Sequence, residues 1–389
     1  RRFGDDLVHA WQELFVPGSV LVADETMVGW TGPTNIHITV LPDKPTSRGV
    51  CLKTLCDARP RVMVNFEFVE ARSEQLQKRY AEEGLAAAVT LRLTEPWHNK
   101  GPRVLIADAW FGGVPTSSAL MRRDIFSITN VTTHTKYFCK KELWAEARGD
   151  RQCHECNDRA YRQLMFRVNG IDITFVGAFH MDRAPMTLLG TAASSKEAPL
   201  VMRRRLYLSD GGDLVRWVGE LQQPDIHHIY RSNFNAVDVH NKLPVGPHSV
   251  CNVATTSLPL RLWLSMLACA ETNAYLMYMH HHKLSSEQYS HGDFKADLER
   301  ELLQRANDGV LDNGEEAGVS TRRSGERVST GADRPQQNRM PAVFQGHALK
   351  RDATKNRKCM VCGTKIKTIC GCGRAVCGRR GARHAGHGI

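Results

Sequence analysis

The chain has 389 residues, 42% of them hydrophobic and 24% charged, with a formal net charge of +11. That length exceeds one ordinary domain of about 100–200 residues and is apolar enough to bury a sizeable core. The basic excess favours a polyanionic partner, and without a basic amphipathic helix or lipidation motif that partner is nucleic acid rather than a membrane.

The sequence opens Arg1-Arg2-Phe3, without Met, and is read as entering mid-protein. Leu7 to Leu14 closes a helix. Val20-Leu21-Val22 is a short apolar strand ending in acid at Asp24. Val50 to Cys56 and Val62 to Val69 are two more strands, parted by the turn Asp57-Ala58-Arg59-Pro60. Glu82 to Leu93 is an Ala- and Leu-rich helix. Val104 to Ala107 is a fourth strand, again ending in acid at Asp108. Ser117 to Arg123 is a short helix and Ile125 to Val131 a strand.

Thr133 to Arg205 has weaker periodicity and is read as an insertion with a return strand near Met186 to Thr191. A helix starting near Asn235 carries Asp238. Leu260 to Met279 is a buried helix closed by His280, His281 and His282; its polar residues argue against a membrane span, which needs roughly 20 mainly apolar residues. Asp308 to Asn338 is rich in Gly, Ser, Glu and Arg and reads as a disordered linker. The domain expectations are therefore 1–132 and 206–285 for the two parts of a core, 133–205 for the insertion, 286–350 for the linker and 351–389 for a cysteine-rich tail.

Asp24 and Asp108 follow aliphatic strands, and Asp238 lies on a helix. Two metal ions about 3.5–4 Å apart can activate a water and steady the leaving oxygen of a phosphodiester. Such ions, Mg²⁺ above all, want hard carboxylate oxygens. Three acids at strand ends and on a crossing helix could supply them; they could equally be turn acids and a solvated helix face.

The motifs around these acids carry a resemblance. Val22-Ala23-Asp24-Glu25-Thr26-Met27 with Gly29-Trp30-Thr31-Gly32, then Leu41-Pro42-Asp43-Lys44-Pro45 with Arg48-Gly49-Val50, resemble the first segments of piggyBac-like transposases. Asp57 matches the family's acid after the second strand. Val104-Leu105-Ile106-Ala107-Asp108-Ala109-Trp110-Phe111 with Val114-Pro115 resembles the second catalytic segment. Tyr230, Asn233, Val237 and Asp238 resemble the third. The resemblance covers about residues 1 to 285, and the tail continues it. It implies an α/β, RNase H-like mixed sheet with flanking helices, and Asp24, Asp108 and Asp238 as a catalytic triad holding Mg²⁺ or Mn²⁺. It also implies excision through hairpins and integration at TTAA sites, in a nuclear, homodimeric protein acting on double-stranded transposon ends and target. Glu25, Trp110 and Asn241 are the secondary residues near the site.

The sequence departs from the family where a second acid follows the third catalytic Asp; that position is Asn241, which offers a carbonyl oxygen without charge. Ala236 and Ala109 also replace family residues. An active transposase and a domesticated, non-catalytic DNA-binding protein are both consistent with these departures.

Five of the twelve Cys fall between Cys359 and Cys377. Cys359 and Cys362 form C-x2-C, Cys370 and Cys372 form C-x-C, and Cys377, His384 and His387 follow. Thiolates and imidazoles so spaced suit tetrahedral Zn²⁺, without which so small a segment could hardly fold. The tail resembles the family's cross-brace finger, which usually holds two zincs with eight ligands; seven candidates suit one complete site. Ten Lys and Arg between Arg351 and Arg383 stand against one acid, Asp352. Of these, Lys358, Lys365, Lys367 and Arg374 are the expected phosphate contacts; a RING-like protein-interaction finger would want an acidic, apolar surface instead. Cys153-His154-Glu155-Cys156 reads as plain loop thiols or a metal half-site. Trp97 reads as a packing residue, and Lys136, Lys140 and Lys141 beside Tyr137 as a solvated turn or phosphate contacts.

Overall fold

The computed structural model describes residues 2–33, 37–42, 44–132, 135–139, 142–143, 161–181, 185–194, 196–208, 214–221, 223–245 and 249–312, and four short tail strands. The chain divides into two units, Arg1–Glu315 and Glu316–Ile389.

The first unit runs α1 (Arg2–Leu14), β1 (Val20–Gly29), β2 (Thr39–Val40), β3 (Arg48–Asp57), β4 (Met63–Phe68), α2 (Arg72–Gln75), α3 (Leu85–Thr94), β5 (Arg103–Ala107), α4 (Val114–Met121) and β6 (Ile125–Asn130). It continues with β7 (Tyr161–Val168), β8 (Ile171–Met181), β9 (Pro185–Gly190), β10 (Val201–Leu208), β11 (Leu214–Leu221), α5 (Asp225–Asn233), α6 (Ala236–Lys242), α7 (Leu258–His282) and α8 (His291–Asp312).

Nine strands form one mixed sheet, ordered β2-β3-β1-β5-β6-β9-β8-β7, with β4 also paired to β3. β1 is antiparallel to β3 and parallel to β5, and β5 is parallel to β6. Strands buried on both faces read as continuous apolar runs, which is why Leu21, Val22 and Ala23 are all buried. Alternate side chains go to opposite faces. Leu21, Leu55 and Leu105 pack with Leu91, Leu93 and Leu120 of α3 and α4. Val22, Ile106 and Ile128 pack with Trp11, Ile226, Tyr230 and Val237 of α1, α5 and α6. Trp97 is buried in the first of these layers, as a packing residue.

Strand β4 meets α7 in an unusual way. Asn273, fully buried, accepts the Met63 N–H at 2.9 Å and donates to the Met63 carbonyl at 2.8 Å. Its amide thus treats the strand as a neighbouring strand would, leaving no buried backbone group of Met63 unpaired. The same Oδ1 lies 3.1 Å from His240 Nε2, so one side chain ties β4, α6 and α7 together. Helix α7 opens on Ser257, whose hydroxyl caps Leu260 N–H, and ends at the exposed His280, His281 and His282. Among the described residues, no helix is long and apolar enough to cross a membrane.

Three readings change. The stretch 133–205 adds three strands, β7 to β9, to the main sheet, not one; alternating Arg, Gln and Thr on β7 and β8 hides their period. The boundary expected at 205 falls inside β10, which pairs with β11 as a separate ribbon. Residues 291–312, within the stretch read as linker, form α8. Phe294 packs on Tyr275 and Tyr278, and Asp297–Arg300 and Glu301–Arg305 pair along its surface.

In the second unit, β12 (Leu349–Arg351) pairs with β15 (Thr368–Cys370), and β13 (Arg357–Lys358) with β14 (Lys365–Ile366). Lys358 and Lys365 are direct cross-strand partners, and Cys370 ends β15. The other zinc candidates, Cys359, Cys362, Cys372, Cys377, His384 and His387, lie outside the described residues, as do Lys367, Arg374, Lys140, Lys141 and Cys153 to Cys156.

Candidate active site

Asp24 shares its face of β1 with Val22 and Thr26, because side chains alternate. The parallel register sets Val22 opposite Ile106 and Ala23 opposite Ala107. Asp24 and Asp108 are the next residues on the two segments, and the Asp108 charge acts on Asp24. Asp24 is not at a strand end, as the sequence suggested. β1 loses β5 there but keeps β3, from Asp24↔Thr54 to Gly29↔Gly49. The acid therefore sits where one edge of a continuing strand becomes free.

Asp24 Oδ1 accepts the Glu25 N–H at 2.7 Å, and the Asp24 carbonyl accepts the Thr54 hydroxyl at 3.0 Å. Burial pushes the Asp24 carboxyl up to about 6; the Glu25 N–H and Lys44 pull it back, and Asp108 and Asp238 add to the rise. Burial, with the Glu25 charge, also raises Asp108, while the Trp110 N–H, 3.0 Å from its Oδ1, and Lys53 hold it down. Tyr230 is buried nearby, and burial with the fields of Asp108 and Asp24 keeps its phenol protonated.

Asp238 lies in the first turn of α6. That helix buries Ala236, Val237 and His240 and leaves Asp238 exposed. Its field reaches Asp24, but among the described residues no three or more His, Cys, Asp and Glu side chains form a group that could hold a metal ion. Asp24 and Asp108 are half-buried, Asp238 is exposed, and the charges of both Asp108 and Asp238 act on Asp24. The half-buried pair still fits a hard divalent cation: its donors are carboxylate oxygens whose charge burial disfavours, and the nearest lysine stands 3.9 Å from Asp24.

The secondary residues each have partners. Asn241 Oδ1 accepts the Thr26 hydroxyl at 3.1 Å. Glu25 is paired with Lys53, its cross-strand neighbour, and lies 3.7 Å from Lys44. The Lys53 ammonium sits 3.3 Å from the centroid of the Trp110 ring, which packs edge-on against Phe111 at 4.8 Å. Asp57, the fourth motif acid, is a strap: buried, it accepts the Gly18 N–H at 2.6 Å and the Arg59 N–H at 2.8 Å.

Lys53 was missed from sequence. A signal was present, for it is the single charge between Arg48 and Asp57 in an otherwise uncharged strand. Lys44 was seen only as part of a motif.

The mixed sheet, with helices on both faces, carries Asp24 on its strand β1 and Asp108 just after the neighbouring β5. A family model described as Transposase IS4 matches residues 1–275, and the chain belongs to that family. Among solved structures it is similar to one described as the piggyBac transposase synaptic complex with hairpin DNA, determined by cryo-EM. The two share 16% identity with a TM-score of 0.56, over 81% of this chain and 58% of that one. The likeness is one of fold, and the chain spans little more than half of that transposase. No curated protein matches by sequence.

Proposed function

We propose that this chain holds the core and cysteine-rich tail of a DNA transposase that cuts and joins DNA strands with a divalent metal. The observation that carries this reading is the parallel register from Val22↔Ile106 to Ala23↔Ala107, after which Asp24 and Asp108 are the next residues on the two segments. The order β4-β3-β1-β5-β6, antiparallel then parallel, supports an RNase H-like core. Asp24 and Asp108 would hold Mg²⁺ or Mn²⁺, and Asp238 would complete the ligand set once DNA draws α6 inward. A bound ion would supply an activated water and a counter-charge for the leaving oxygen. Tyr230, kept protonated, would donate to a phosphate oxygen, and Trp110 would line the DNA path.

Duplex DNA as partner is supported by the net charge of +11 and by the Lys- and Arg-rich tail. Zn²⁺ in the tail, TTAA targets, a homodimer and action in the nucleus complete the proposal. A second reading, a domesticated DNA-binding protein, is favoured by Asn241, a neutral residue already satisfied by Thr26.

The test is cleavage of a hairpin-capable transposon end by the full-length protein with Mg²⁺ or Mn²⁺. Wild type should nick, and Asp24→Asn, Asp108→Asn and Asp238→Asn should not. If no protein cuts while DNA binding persists, the domesticated reading replaces this one.

A further inference from the structure

Glu25 follows Asp24 in β1 but belongs to the other face of the sheet. Because side chains alternate, Asp24 shares the Val22 face, which packs on α1, α5 and α6, and Glu25 shares the Ala23 face, which packs on α3 and α4. Lys53 lies on that second face too, opposite Glu25 in register, and its ammonium pairs with Glu25 Oε1. The same ammonium stands 3.3 Å from the centroid of the Trp110 ring and 5.3 Å from that of Phe111. Lys53 is only 4% exposed, so the ion pair and the cation–π contact are shielded from water and stronger for it.

Strand order gives this contact its consequence. β1 lies between β3 and β5, so Lys53 reaches past one strand to meet the segment that follows β5. That segment has lost its ladder: β5 ends at Ala107, the last residue it pairs with either β1 or β6. Asp108 is therefore held by its own turn, where its Oδ1 accepts the Trp110 N–H at 3.0 Å. A displacement of the Trp110 backbone would carry the Asp108 carboxylate with it.

We infer that Lys53 is a positioning residue for Asp108: anchored on Glu25, its ammonium clamps the Trp110 indole from the far face of the sheet and so fixes the turn that carries the acid. This inference rests on the proposed reading of Asp24 and Asp108 as metal ligands. Charge and position give opposite signs here. Removing a positive charge close to carboxylates strengthens their hold on a cation. Loosening a carboxylate weakens that hold, by roughly tenfold or more for a residue that orients a metal ligand.

The experiment measures Mn²⁺ affinity of the full chain by EPR. The protein is loaded with zinc beforehand, and an Asp24→Asn/Asp108→Asn double variant sets the background. Lys53→Met keeps the length of the buried stem without its charge, and Glu25 keeps Lys44, 3.7 Å from its Oε2. Lys53→Met should bind Mn²⁺ roughly tenfold more weakly than wild type. Trp110→Leu should lose as much, and the double variant no more than either, since both break one clamp. Fluorotryptophan labelling adds a reading without metal: the fluorine resonance that Trp110→Leu removes should broaden in Lys53→Met. Mn²⁺ held by Lys53→Met as tightly as by wild type, or more tightly, overturns the inference and leaves the metal-site reading intact, and so does a Trp110 resonance that stays sharp. Should Lys53→Met not fold, Trp110→Leu decides, and wild-type affinity there overturns the inference. No Mn²⁺ above background on wild type overturns both.

Discussion

Thr26 donates its hydroxyl to Asn241 Oδ1 at 3.1 Å, across 215 positions of sequence. The bond joins the central strand to the helix that carries Asp238 and places residue 241 beside the site. A carboxylate there would accept the same hydroxyl and add one negative charge. Asn241→Asp should therefore keep the fold and raise Mg²⁺-dependent nicking about tenfold, equivalent to about 1.4 kcal/mol. Wild type should nick weakly and better with Mn²⁺, which tolerates imperfect ligation. Rates measured side by side on one DNA end decide it; equal Mg²⁺ rates would remove Asn241 from the account.

Asp57 is expected to matter for stability and not for metal binding. Its carboxylate holds two backbone N–H groups, of Gly18 and Arg59, in a buried setting. Asp57→Ala leaves both unpaired and should cost roughly 2–4 kcal/mol in urea unfolding. A variant as stable as wild type would mean that the strap is dispensable.

Acid should weaken the protein through its buried histidines. Burial, with the charges of His180 and Arg231, lowers His227 to about 3, though the Met186 carbonyl opposes this. Burial lowers His240 to about 4, against its bonds to Asn273 and Asn241. The ordinary value is 6.5, so in the window from there down to about 4 the unfolded chain binds protons that the folded chain refuses. Stability is then full above the ordinary value and falls with pH, at roughly 1.4 kcal/mol per pH unit for each histidine. His227→Gln should shallow that slope in urea midpoints taken across the window. An unchanged slope would assign the acid sensitivity elsewhere.

The tail should carry at least one Zn²⁺ per chain. Chelation should remove the metal and the tail's fold together, while the first unit keeps its structure. Elemental analysis with proteolysis before and after chelator reads this out; a metal-free tail that resists protease would contradict it.

Gly49 lies opposite Gly29 where β1 and β3 end their pairing, and a Cβ there would overlap the Val28 carbonyl. Gly49→Ala should part the strands at a cost of about 2–3 kcal/mol. Thermal unfolding at the wild-type midpoint would show that the backbone has room to yield.

The core was readable where both faces of a strand are apolar, as in Leu21-Val22-Ala23. It was unreadable where one face serves a site. Asp24 to Gly29 looks like a turn because its polar side chains are those a site requires. Lys53 could not be interpreted without knowing that Glu25 is its partner in register. Helix α8 was missed because little of its own surface is apolar; the aromatic rings that receive Phe294 belong to α7. The acids of the motifs were found by resemblance, but their spacing in the chain could not say that Asp238 faces outward.

The order of strands also bears on how the protein is made. β1 emerges early, yet its neighbour β5 begins at Arg103, and the helix holding Asp238 begins at Ala236. Asn273, which pins that helix to β4, comes later still. A chain still on the ribosome, made from its N-terminal end, can therefore display the first acid long before anything surrounds it. Any fragment ending before α7 lacks Asn273, and with it the bonds that tie α6 to β4.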